Sequence, residues 1–136
     1  MKFLFYETKS YDRDSFTKVL PDYPDVQCDF IRANLDPMTA GLAKGYDGVC
    51  AFVNADVSAL TLEALAGLNV KLVLMRCAGF DAVNVPMAKK LGMTVVRVPA
   101  YSPQAIAEHA MGLALCANRH IHKGYIRVRE NDFRSE

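Results

Sequence analysis

No two of the eight glycines stand as Gly-x-Gly, so the sequence contains no Gly-x-Gly-x-x-Gly loop. Such a loop lets the backbone approach a pyrophosphate at a helix N-terminus, and its absence excludes that cradle from these 136 residues. No apolar run reaches the roughly 18 residues of a membrane span. The opening Met1–Glu7 has too short an apolar stretch for a secretory signal and no small-residue cleavage site. There is no Cys-x-x-Cys. Cys28, Cys50, Cys77 and Cys116 are widely spaced, which fits reduced, buried thiols in a cytoplasmic protein better than a disulfide or metal framework. There is no excess of charge of one sign. The net charge is +1 with acids and bases interspersed, which gives no reason to expect nucleic acid or an acidic membrane as partner. Repeats and low-complexity segments are missing too.

What is there alternates. Short β-rich runs occur at Lys2–Tyr6, Val26–Ile31, Gly48–Val53, Lys71–Met75 and Thr94–Val98. Several are nearly continuously hydrophobic, as expected of parallel strands covered on both faces. Helical stretches lie between them. Asp12–Leu20 ends before Pro21. Asp36–Lys44 has Asp36 as an N-cap, Pro37 at the first helical position and Gly45 after the end. Ser58–Ala66 is closed by Gly67 and Val85–Leu91 by Gly92. Five strands with four linking helices imply right-handed crossovers and an α/β, flavodoxin-like, doubly wound parallel sheet in the order 2-1-3-4-5. Ligands of such sheets lie beyond the carboxyl ends of the strands. That rule selects Glu7-Thr8, Asn54-Ala55-Asp56, Cys77–Asp81 and Pro99–Ser102.

The last segment departs from the alternation. Ser102 suits an N-cap and Pro103 a first helical position. Ala105–Ala117 is apolar almost all round and calls for burial, although one small sheet cannot cover every side of it. Asn118–Arg129 is basic and amphipathic. Pro99–Ser102 therefore reads as a hinge, dividing residues 1–100 from residues 101–136. The helix of the second part packs on something outside the chain or on a second copy.

Each candidate group has a bland reading beside a functional one. Backbone N–H groups around Ala78 and Gly79 can hold a carboxylate, or Gly79 simply serves the backbone angles of a turn. Tyr101 can donate its phenol to a substrate or pack as a hinge aromatic. Glu108 and His109 are adjacent on a helix, hence on different faces, and read as buried polar groups satisfied by neighbours. His120 and His122 make a poor metal pair. Arg119, Lys123 and Arg127 share a helical face, most simply a solvated one. Arg76 beside Cys77 is a weak pointer to a reactive thiol. A phosphoacceptor receiver domain shares the fold but needs acids after the first and third strands and a lysine after the fifth. Tyr6-Glu7-Thr8, Val53-Asn54 and Val98-Pro99 do not supply that set.

Arg76-Cys77-Ala78-Gly79-Phe80-Asp81, then Val96-Arg97-Val98-Pro99-Ala100-Tyr101-Ser102-Pro103, then Ala105-Ile106-Ala107-Glu108-His109-Ala110 form a specific combination. It resembles the D-isomer-specific 2-hydroxyacid dehydrogenases, in particular their D-lactate dehydrogenase branch. Tyr6–Asp12, Val49–Asn54 and Asn118–Lys123 resemble the bacterial fermentative form. The resemblance covers the whole chain but less than half of the family's usual length. It implies a flavodoxin-like substrate domain, then a Rossmann domain entered through the hinge and represented here only by its first helix, which lies at the family's dimer interface.

It further implies reversible hydride transfer between NADH and pyruvate, giving D-lactate. The family's catalytic Arg, Glu and His lie in its later region, so no catalytic residue is assigned here and His109 is not promoted to that role. The resemblance gives Phe52, Ala78, Gly79 and Tyr101 to substrate binding and Tyr101 and Ile106 to the cofactor side, with no metal. Phe52, at a position that limits side-chain size, favours pyruvate over larger 2-oxo acids. Residues 1–136 alone are expected neither to bind NAD nor to turn over, and to self-associate through the 103–120 helix. A non-catalytic flavodoxin-like binding or dimerisation module is the alternative.

Overall fold

The computed structural model describes residues 1–134. Five strands form one sheet: β1 (Lys2–Phe5), β2 (Gln27–Phe30), β3 (Gly48–Ala51), β4 (Leu72–Met75) and β5 (Thr94–Arg97). All pairs are parallel and the order is β2-β1-β3-β4-β5, the flavodoxin-like order expected. The helices are α1 (Ser10–Val19), α2 (Ala59–Gly67), α3 (Val85–Lys90), α4 (Pro103–Asn118) and α5 (Ile121–Arg129). The chain divides into two compact units, Met1–Pro99 and Ala100–Glu136.

The link between β2 and β3 is not the α-helix expected over Asp36–Lys44. It is a turn followed by a 3-10 helix, Ala40–Ala43. The Asp36 carboxylate accepts the N–H groups of Met38 and Thr39, both at 2.8 Å. The Thr39 hydroxyl donates to the Asn34 carbonyl at 2.6 Å. Local side-chain bonds of this kind compete with helix propagation, and Gly41 weakens it further. Gly45, with φ +85°, then turns the chain in a conformation that L side chains rarely adopt. The other links are helical. Lys9, not a residue near Asp12, caps α1, and Asp12 accepts the Lys9 N–H at 2.9 Å. Asn84 caps α3 by accepting the Met87 N–H at 3.0 Å.

Strand periodicity sorts the side chains onto two faces. Leu4 and Tyr6, Val49 and Ala51, and Val73 and Met75 are buried in one core with Leu62, Leu65 and Ala88 of α2 and α3. On the other face Phe5, Phe16 and Phe30 form an aromatic cluster under α1, with ring centroids 4.6–6.3 Å apart. That cover stops short. Leu72 and Leu74 are only half-buried and Val96 is exposed. An apolar groove of about 240 Å³ runs beside α1, lined by Phe3, Phe16, Val19, Tyr23 and Leu74 among others. Of the four cysteines only Cys50 is buried; the other three are half-exposed, and all four are free thiols.

The second unit, taken by itself, has no buried residue in either helix. Glu108 and His109 are therefore exposed rather than buried and satisfied. Ser102 makes no side-chain capping bond. His120, with φ 51°, adopts a left-handed conformation that separates α4 from α5. Arg119 thus closes α4 and does not continue the expected stripe with Lys123 and Arg127. Arg127 turns to Asp132, with its Nε 3.1 Å from the carboxylate.

Two predictions follow from the core. Gly48 lies where a Cβ would stand 2.7 Å from Phe3 Cε1 and 2.9 Å from Leu72 Cβ. Gly48→Ala should lower the unfolding free energy by about 1–3 kcal/mol in chemical denaturation, since the overpacked strands must move apart. Burial pushes the Cys50 thiol up to about 11, against the opposing pull of Arg76, and the Tyr6 phenol up to about 12. The folded chain keeps these protons while the unfolded chain loses them near the ordinary values of 9 and 10. Stability should therefore hold below pH 9 and fall as pH rises through 11 and 12, by at most about 1.4 kcal/mol per pH unit for each group. Denaturation midpoints across this range would show the fall, and Cys50→Ala should make its first part shallower.

Candidate functional site

Parallel pairing puts the carboxyl ends of all five strands on one edge of the sheet. Carbonyls there have run out of ladder partners and must find other donors. Two arginines that follow the strand pattern supply them.

Arg76, directly after β4, serves the switch point between β1 and β3. Its Nη1 donates to the Tyr6 carbonyl at 2.9 Å and its Nη2 to the Glu7 carbonyl at 3.0 Å. Its Nε lies 3.5 Å from the Asp12 carboxylate, and both side chains are nearly covered. The guanidinium also sits 4.9 Å from the Phe52 ring centroid and 4.0 Å from Cys50 Sγ. Arg76 thus turns away from Cys77, and the sequence-based pairing of these two does not form. Glu7 is held in a left-handed conformation, φ 49°, with its carboxylate accepting the Asn54 amide at 3.0 Å. The second Glu7 carboxylate oxygen is buried without a hydrogen-bond partner among the described residues.

Arg97, the last residue of β5, serves the loop after β4. Its Nη1 donates to the carbonyls of Ala78 at 3.0 Å, Val98 at 3.2 Å and Pro99 at 2.9 Å. Its guanidinium lies 5.2 Å from the Phe80 ring centroid. The Val98 N–H donates to the Cys77 carbonyl at 3.2 Å, and the Cys77 thiol donates to the Gly79 carbonyl at 3.2 Å. Three consecutive carbonyls, those of Cys77, Ala78 and Gly79, are therefore occupied. The N–H groups of Ala78, Gly79 and Phe80 donate to no group among the described residues.

Gly79 is not in a left-handed conformation, and a Cβ there would meet nothing within 4 Å. The turn does not need glycine for its angles or its packing, so the bland reading of Gly79 loses its physical basis. The loop opens on a cleft of about 260 Å³ lined by Val53, Met75, Cys77, Gly79, Asp81 and Ala82. Of the expected substrate residues, Gly79 lines this cleft, Ala78 adjoins it, and Phe52 stands at the neighbouring strand end with its ring against Arg76. Tyr101 and Ile106 belong to the second unit and are both exposed. Among the described residues no group of three His, Cys, Asp or Glu side chains could hold a metal ion, and no helix is long and apolar enough to cross a membrane.

Sequence reasoning missed both arginine networks. The available signal was an arginine directly after β4 and another at the last position of β5, each following a run of apolar residues.

Residues 3–131 match the family described as D-isomer specific 2-hydroxyacid dehydrogenase, catalytic domain. The chain is 46% identical over 136 residues to a 2-hydroxyacid dehydrogenase homolog of Haemophilus influenzae, covering 100% of this chain and 41% of that protein. It is 43% identical to the D-lactate dehydrogenase of Escherichia coli, with the same coverage. The apo structure of D-lactate dehydrogenase from Escherichia coli superimposes with a TM-score of 0.78, covering 100% of this chain and 43% of that one. A D-isomer specific 2-hydroxyacid dehydrogenase from Lactobacillus delbrueckii ssp. bulgaricus, in its NAD-complexed form, does so with a TM-score of 0.72 at 26% identity, covering 100% and 41%. The chain thus spans about two fifths of the length of these relatives. By the extent of that match, through the sheet and both terminal helices, it belongs to the D-isomer-specific 2-hydroxyacid dehydrogenases.

Proposed function

We propose that this chain is the substrate-holding part of an NAD-dependent dehydrogenase that reduces pyruvate to D-lactate. The observation that carries the reading is the run of unused N–H groups at Ala78, Gly79 and Phe80, beside a cleft at the carboxyl edge of the sheet. Fixed amide donors suit the carboxylate of a 2-oxo acid, because they offer directed partial charge with no reorganisation on binding. A glycine with no conformational duty fits close approach of a ligand to the backbone. Phe52, braced by Arg76, suits a site for a small side chain such as a methyl group. Tyr101 and Ile106, in the second unit, are given to substrate and cofactor binding by the family resemblance alone.

The nicotinamide cofactor belongs to the whole enzyme in this reading. The described residues do not fit its pyrophosphate: the glycines with positive φ are Gly45 and Gly92, and neither precedes the N-terminus of a helix that follows a strand. No chemical step is therefore assigned to this chain. It orients the acid, and orientation without the proton donor and hydride leaves most of the barrier standing. Mixed with NADH and pyruvate, the 136-residue chain should give no turnover above the uncatalysed rate.

A second role is favoured by α4. Ile106, Met111, Leu113 and Leu115 are each more than half exposed. Apolar area of this kind on a helix promotes association, and we assign it to self-association of two chains. Sedimentation should show dimers at micromolar concentration; a monomer throughout would remove this role and the dimerisation-module alternative with it.

The acid-binding reading has its own test. In a ¹⁵N-labelled chain, pyruvate should shift the amide resonances of Ala78, Gly79 and Phe80. Gly79→Ala should weaken that binding by several-fold, because the added methyl group stands between ligand and backbone, while the unfolding midpoint stays unchanged. Unmoved loop amides in the unaltered chain would sink the reading.

A further inference from the structure

The loop after β4 has a regularity beyond its exposed amides. In a trans peptide the C=O and the following N–H lie in one plane and point in opposite directions. Whatever grips the carbonyl therefore aims the N–H. The Cys77–Ala78 plane is gripped by the Val98 N–H, the Ala78–Gly79 plane by Arg97 and the Gly79–Phe80 plane by the Cys77 thiol. The first is an extension of the strand pairing, and the third rests on a weak sulfur donor. The middle plane, which carries the Gly79 N–H, depends on a cation from the neighbouring strand.

We propose that Arg97 is a positioning residue for 2-oxo acid binding, aiming the Gly79 N–H at the substrate carboxylate by holding the Ala78 carbonyl. This rests on the acid-binding reading above. Arg97 is suited to the task in two ways. A charge-assisted bond to a carbonyl is stronger than a neutral one. A cation on the oxygen also draws electron density through the amide, which makes the N–H a better donor to an anion. The same nitrogen takes the Val98 and Pro99 carbonyls, so the loop is fixed against the end of β5 instead of swinging alone. The Phe80 ring lies under the guanidinium and restricts it further. Arg97 itself has no free carboxylate partner: it forms no ion pair among the described residues.

The test compares the unaltered chain with Arg97→Met and Arg97→Lys in pyruvate titrations followed by ¹⁵N amide shifts, with denaturation midpoints as control. Arg97→Met should weaken pyruvate binding about tenfold or more, as expected for loss of a charge-assisted bond. Arg97→Lys, which keeps a donating cation without the fork, should recover part of the loss. A merely structural role would lower the midpoint and would not order the three proteins by affinity. Pyruvate affinity in Arg97→Met equal to that of the unaltered chain overturns the proposal. So does an Arg97→Lys variant that binds no better than Arg97→Met. An unaltered chain that ignores pyruvate overturns the acid-binding reading itself, and this outcome is distinct from the other two.

Discussion

A parallel sheet gathers the unsatisfied carbonyls of every strand onto a single edge, and everything at the candidate site depends on how that edge is satisfied. Helix dipoles and water serve this purpose in many doubly wound folds. Here two long cationic side chains do much of it. Arg76 reaches from the end of β4 across β3 to the end of β1, and Arg97 from the end of β5 to the loop beyond β4. Each is a residue at the end of one strand that fixes the backbone at the end of another. The edge is therefore tied crosswise, and the loops above it have little independent freedom.

The two networks differ in cost and consequence. Arg76 is almost covered, so its charge must be compensated; Asp12, two carbonyls and the Phe52 ring supply that compensation. Removing one partner would leave a buried charge unmatched. Arg97 is exposed and, among the described residues, hydrogen-bonded to carbonyls and stacked on Phe80 without an ion pair, which makes it the less critical group for folding and the more direct influence on the loop. The division suits a site in which one cation holds the frame while another aims the donors.

Much of the architecture was legible in the residues. The five strands could be read because the parallel core demands continuous apolar runs, and their order came from likening the alternation to a flavodoxin-like sheet. The link after β2 differs because Asp36-Pro37 is as good a start for a turn as for a helix, and the side-chain bonds of Asp36 and Thr39 decide for the turn. The loop at Ala78 and Gly79 was visible as a small-residue turn at the right edge. Its logic was not, since Arg97 lies 19 residues away from Ala78 and the register that brings Met75 opposite Arg97 is a property of the folded sheet. The pairing of Arg76 with Cys77 failed because the guanidinium is taken by the Tyr6 and Glu7 carbonyls and by the Asp12 carboxylate, contacts that exist only in the folded sheet.

Consider last the chemical kind of the groups that face the cleft after β4. The donors are peptide amides, their carbonyl sides are held by the Val98 N–H, the Arg97 guanidinium and the Cys77 thiol, and the Asp81 side chain lines the cleft beside them. All three histidines lie in the second unit, at positions 109, 120 and 122. In the proposed reading, capture of an acid by the first unit therefore involves no imidazole, and any histidine contribution has to come from elsewhere.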